Sequence, residues 1–170
     1  TWVVVLLFIL MIPCIYNAFP LVTSDSGTYI ASGLQGWVPI DRPLFYGLFV
    51  GFLSFKHSLW YPIIFQNLIL AILLFKMYQQ FLSSVKNGMV YLFITLIICA
   101  LTGVAWFSVQ IMPDIFVAIG FFSFVLLLLK PVGKIEKWTL ALIYLMSLAM
   151  HNSHMLIFNL LTIFALIIIK

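Results

Sequence analysis

Residues Ser24 to Gly47 read SDSGTYIASGLQGWVPIDRPLFYG and hold two of the chain's three aspartates, Asp25 and Asp41, with its only arginine, Arg42. The runs on either side are apolar and almost free of charge. Ionisable groups are costly at membrane depth unless they face water, a metal or a partner. The stretch therefore reads as the polar loop around which an apolar bundle is arranged.

Composition sets the class. The 170 residues are 65% hydrophobic and 7% charged, with a mean hydropathy of +1.26. A water-soluble domain of that make-up would expose large apolar surface. The expected fold is all-α, a polytopic transmembrane bundle forming one domain over residues 1–170, with the lipid bilayer as its surroundings. The net charge of +4 rests on lysines scattered at the ends of apolar runs. They form no basic stripe, so no nucleic-acid partner is expected. Cys14 and Cys99 sit inside apolar runs and read as small buried hydrophobes, not a disulfide.

Working outward from the loop, Trp2 to Phe19 reads as a span, with Pro13 a candidate kink. Lacking a basic n-region or a cleavage site, it is not expected to be a signal peptide. The missing Met and the stop at Lys170 lead to the expectation of a fragment. Ser24 or Asp25 is a candidate cap for a short helix running through Tyr29 toward Leu34, with Gly27, Gly33, Gly36 and Pro39 breaking up the remainder of the loop. Pro43 to Phe55, about 13 residues, has the length of a re-entrant or interfacial segment.

Further spans are expected at Leu59 to Leu82, Met89 to Val109 and Ile115 to Leu129, joined by tight connections at Ser83 to Gly88 and Gln110 to Asp114. After the basic loop Lys130 to Lys137, two shorter runs, Trp138 to Met150 and Met155 to Ile169, meet at His151-Asn-Ser-His154. If Pro43 to Phe55 does not cross, six of the seven lysines fall on one side, which is then cytoplasmic. Asp25, Asp41, Arg42, Asp114, His151 and His154 fall together on the outer side.

These residues carry the candidate chemistry, each beside a plainer role. Asp25 and Asp114 are carboxylates for acid–base work or helix caps. Arg42 is a forked donor suited to phosphate or the partner of Asp41. His151 and His154, spaced i, i+3, are metal ligands if helical, or the polar tip of a hairpin. Thirteen residues of helix rise only about 20 Å, so that tip is expected below the outer surface, as the floor of a site. No Walker loop, GxSxG, HExxH or paired CxxC motif occurs.

Asp25 and Tyr29 in the first outer loop, Asp41-Arg42-Pro43-Leu44-Phe45-Tyr46 entering a non-spanning helix, and Met112-Pro113-Asp114 between two spans resemble the C-type (GT-C) membrane glycosyltransferases. The nearest branch is the protein O-mannosyltransferase and lipid A aminoarabinose transferase group. Ser26 and the single Pro43 depart from that branch, which often carries Glu and two prolines there.

The resemblance implies juxtamembrane helices in the first outer loop and a bacterial inner-membrane enzyme with its site on the outer face. It implies sugar transfer from a polyprenyl-phosphate donor to a lipid, glycan or protein acceptor. Asp25 would be the catalytic base and Asp114 the second catalytic carboxylate, and Tyr29, Asp41, Arg42, His151 and His154 are the candidate substrate-binding residues. A divalent ion bridging Asp25, Asp114 and the phosphate stays open. Two other readings use the same residues, a transporter of lipid-linked glycans and a non-catalytic membrane scaffold.

Overall fold

The computed structural model describes residues 2–82, 87–129 and 133–168. Among these the chain is all-helical: α1 (Trp2–Tyr16), α2 (Ser26–Gln35), α3 (Leu44–Ser54), α4 (Trp60–Phe81), α5 (Gly88–Leu101), α6 (Val104–Ser108), α7 (Ile115–Leu129), α8 (Lys134–Met150) and α9 (Asn152–Ile168). One helix, α4, is long and apolar enough to cross a membrane by length and composition; α1, α3, α5, α7 and α9 are apolar but shorter. The expected connection at 83–88 falls largely outside the described residues, as do 130–132 of the basic loop and Lys170.

α4 is the hub. It packs on α1, α7 and α3; α7 packs on α8 and α8 on α9, while α1 also touches α5 and α6. Leu6, Leu10, Leu70, Ala71, Phe116 and Ile119 meet in one buried cluster. Large apolar side chains face outward on most helices, Phe8 at 62% and Phe93 at 63% exposure among them.

Three elements differ from the sequence reading. The expected span Met89 to Val109 breaks at Thr102 and Gly103. Thr102 Oγ1 donates to Ile98 O at 2.7 Å, then accepts from Val104 N at 3.3 Å, ending α5 and starting α6. The last hairpin has longer arms, because α8 takes in Lys134 to Lys137 and runs 17 residues, about 25 Å. The arm is therefore longer than the 13 residues expected. The tip is also tighter, since α9 begins at Asn152 and only His151 lies between the helices.

α2 and α3 pack with their backbones close together. The helix expected to run through Tyr29 toward Leu34 is α2, which contains Gly27 and Gly33 and stops at Gly36, whose φ of 76° is left-handed. A β-carbon on Gly33 would lie 2.1 Å from Gly47 O, and one on Gly51 2.2 Å from Gly33 O. The backbones therefore touch, as small-residue spacing such as Gly47-xxx-Gly51 permits. Gly47 beside Tyr29 and Gly51 beside Gly33 make the helices run the same way. Residues 36–43 return along them and bring the start of α3 back to the start of α2. At 11 residues α3 is about 16 Å long, well short of a hydrocarbon core.

Candidate functional site

Two polar segments meet where α2, α3 and α7 begin. The first is the loop before α2. The second is the turn 109–114 before α7. They are stitched by an isolated parallel bridge, Leu21 N donating to Val109 O at 3.0 Å and Ile111 N to Leu21 O at 2.9 Å. The turn is held from below by two amides of α4. Gln66 Nε2 donates to Ser108 O at 2.7 Å and Gln110 O at 3.1 Å, and Asn67 Nδ2 to Ser108 O at 2.7 Å. Tyr46 of α3 donates to Gln66 Oε1 at 3.3 Å, closing the link between the elements.

Gln66 and Asn67 escaped the sequence reading. Their signal is two adjacent amides inside an apolar helix, WYPIIFQNLIL, both fully buried. Buried amides seek partners; here their N–H groups find the carbonyls of Ser108 and Gln110, while Asn67 Oδ1 has none among the described residues.

On this frame Asp25 stands at the N-cap of α2, its side chain making no bond to the helix. Its Oδ2 instead meets Arg42 Nη2 at 2.9 Å, while Arg42 Nε faces Asp41 Oδ2 at 3.6 Å. The guanidinium thus bridges two carboxylates. Five N–H donors are not exhausted by them. Tyr29 lies under this group with its ring edge-on to Tyr46 at 5.1 Å. Its hydroxyl is buried beside the Arg42 side chain and forms no well-aligned hydrogen bond among the described residues. Burial pushes the Tyr29 phenol up, opposed by Arg42 and reinforced by Asp114 and Asp25.

Asp114 is exposed and opens on a mostly apolar cleft of about 540 Å³ between α6, α7 and α9. It acts electrostatically on Tyr29, Tyr46 and His154, so the second carboxylate is near the first group without touching it. His154 is buried and its Nδ1 meets Ser147 O at 2.9 Å. A carbonyl only accepts, so Nδ1 carries the proton and Nε2 keeps a lone pair. His151 is half-buried and caps the end of α8 just before α9, its Nδ1 2.7 Å from Ser153 Oγ. The two rings lie 5.4 Å apart.

The arrangement brings Asp25, Asp41, Arg42 and Tyr29 into one group, with Asp114 and His154 beside it and His151 at the margin. Among the described residues no three His, Cys, Asp or Glu side chains form a metal site. Asp25 is also committed to a guanidinium, which opposes a cation there. The residues do not fit a protein-held divalent ion. Comparison with protein-family models, curated proteins and solved structures gives no match for this chain.

Proposed function

We propose that this chain is a multi-pass membrane glycosyltransferase that moves a sugar from a polyprenyl-phosphate donor to a hydroxyl acceptor at the outer face. The observation that carries the reading is the Asp25–Arg42 pair at 2.9 Å, a candidate base in contact with a candidate phosphate anchor. The outward apolar side chains support membrane embedding on more than one helix. So does the lysine distribution.

A phosphate entering here meets one guanidinium against several carboxylates. The starts of α2, α3 and α7 offset part of that deficit, since helix N-termini favour anions by about 0.3–1 kcal/mol each. In the reaction Arg42 redirects an N–H hydrogen bond from Asp25 to the phosphate. Asp25, released, takes the proton of the acceptor hydroxyl as its oxygen bonds to the anomeric carbon. The bond to the phosphate oxygen breaks, its electron pair stays on the phosphate, and Arg42 balances the charge.

The test is full-length protein in liposomes with a polyprenyl-phosphate sugar. Asp25→Asn should keep donor binding and lose transfer by about 10²–10⁴-fold. Arg42→Gln should weaken donor binding itself. Near-normal transfer by Asp25→Asn removes the base role. Donor crossing the bilayer without sugar transfer would favour the transporter reading.

A further inference from the structure

At the other end of α8 from the histidine tip, a cleft of about 600 Å³ opens between α7, α8 and α9. Lys134, Lys137, Trp138 and Leu128 line it where α8 begins, and Phe124, Ala141 and Tyr144 line it further along. We infer that this cleft binds a phospholipid with a net-negative headgroup, its phosphate at the two lysines and one acyl chain against α7 and α8.

Four observations converge on that occupant. The lysines are three residues apart, so they share a helix face and reach one anion together. Both are exposed, and neither pairs with a carboxylate among the described residues, whereas Glu136 between them turns to Lys76. Trp138 is 71% exposed beside them, an indole placed where headgroups and chains meet. The interior is apolar, and its hydroxyls are already spent: Tyr144 OH donates to Phe158 O at 3.0 Å and lies 2.7 Å from Thr162 Oγ1.

Length agrees as well. Lys134 to Tyr144 spans ten residues of helix, about 15 Å, half of a 30 Å hydrocarbon core. The cleft thus has the depth of one leaflet. A head-on charge with a leaflet-deep apolar slot is the complement of a phospholipid. The group around Asp25 lies past the far end of α8, itself about 25 Å long, so this site is separate from that one.

The inference rests on the membrane reading alone and is independent of glycosyl transfer. Full-length protein in nanodiscs of mixed phosphatidylglycerol and phosphatidylcholine, released and weighed by native mass spectrometry, tests it. Phosphatidylglycerol should be retained over phosphatidylcholine by about tenfold or more. The double variant Lys134→Gln, Lys137→Gln should lose that preference. Ala141→Trp, which fills the slot with both charges kept, should lose the bound lipid too, and Leu128→Trp repeats the test from the opposite wall if Ala141→Trp misfolds.

Equal retention of the two lipids overturns the proposal. So does retention that falls with the lysines and is untouched by both tryptophan variants, because the attraction is then surface charge without a cleft. A photoreactive phosphatidylglycerol that labels no peptide from the cleft, because another helix covers it, overturns it as well. Carbonate extraction of the protein from membranes would instead strike the membrane reading, and loss of sugar transfer alone the catalytic one.

Discussion

Tyr29 is the residue whose cost is hardest to explain structurally. A buried hydroxyl without a well-aligned partner costs about 1–3 kcal/mol, so its removal should not hurt the fold. Tyr29→Phe should leave thermal stability unchanged or raise it by about 1 kcal/mol, while lowering sugar transfer if the phenol donates to a bound substrate. Its pH signature has a definite sign. Burial raises the folded pKa above the ordinary 10.0, so the neutral phenol's share of stability is intact below about pH 10 and lost as pH climbs through the raised value. Alkaline unfolding of wild type against Tyr29→Phe checks this. Gln66 is the reverse case. Gln66→Leu strips two donors from the turn and the acceptor from Tyr46, and should cost about 2–3 kcal/mol in thermal unfolding. Much of this was legible. Asp25, Arg42 and Tyr29 were singled out by charge and loop position, which a sequence displays. The role of Asp25 as a bridging partner and not a cap was hidden, because i to i+17 ion pairs leave no local pattern.

At the level of elements, the α2–α3 pair positions the site. A methyl at Gly47 would sit 2.2 Å from Ser32 Oγ and 3.3 Å from Tyr29 O, so Gly47→Ala must push the helices apart. Overpacking of this kind costs about 1–3 kcal/mol, and it should also lengthen the Asp25–Arg42 contact and lower donor binding. At Gly27 in the same pair a methyl would meet nothing within 4 Å, so Gly27→Ala should stabilise α2 by about 0.5–1 kcal/mol. Measuring both in one background separates crowding from helix propensity. Gly33 reads as punctuation in the sequence because a glycine's local meaning is backbone freedom; that it serves close approach depends on Gly47 and Gly51, which lie in another helix. The end of α5 was missed for a related reason. Thr102 and Gly103 are only two residues in a long apolar run, and hydropathy averages over them.

For the whole molecule, the all-helical class followed from composition, and the helix positions from apolar runs and their punctuation. The number of membrane crossings does not follow from either, since five apolar helices fall short of a full span by length. One labelling experiment decides the first loop. Cysteines at Ser24 and Ser58, on either side of α2 and α3, should react with an impermeant maleimide from the same side, and reaction from opposite sides would refute the expected topology.

The bridge between Leu21 and the 109–111 turn bears on the order in which the protein is made. Asp25 and Arg42 are 17 residues apart and can pair as soon as α2 and α3 leave the ribosome. Leu21 must wait for a partner 88 residues later, and the amides of Gln66 and Asn67 stay unspent until Ser108 arrives. For that interval α4 carries two polar groups with no acceptor in the turn, a stage at which an insertion factor or chaperone has something to hold. A nascent chain arrested before residue 108 should therefore crosslink to such a factor through α4, and one arrested well after residue 114 should have let go.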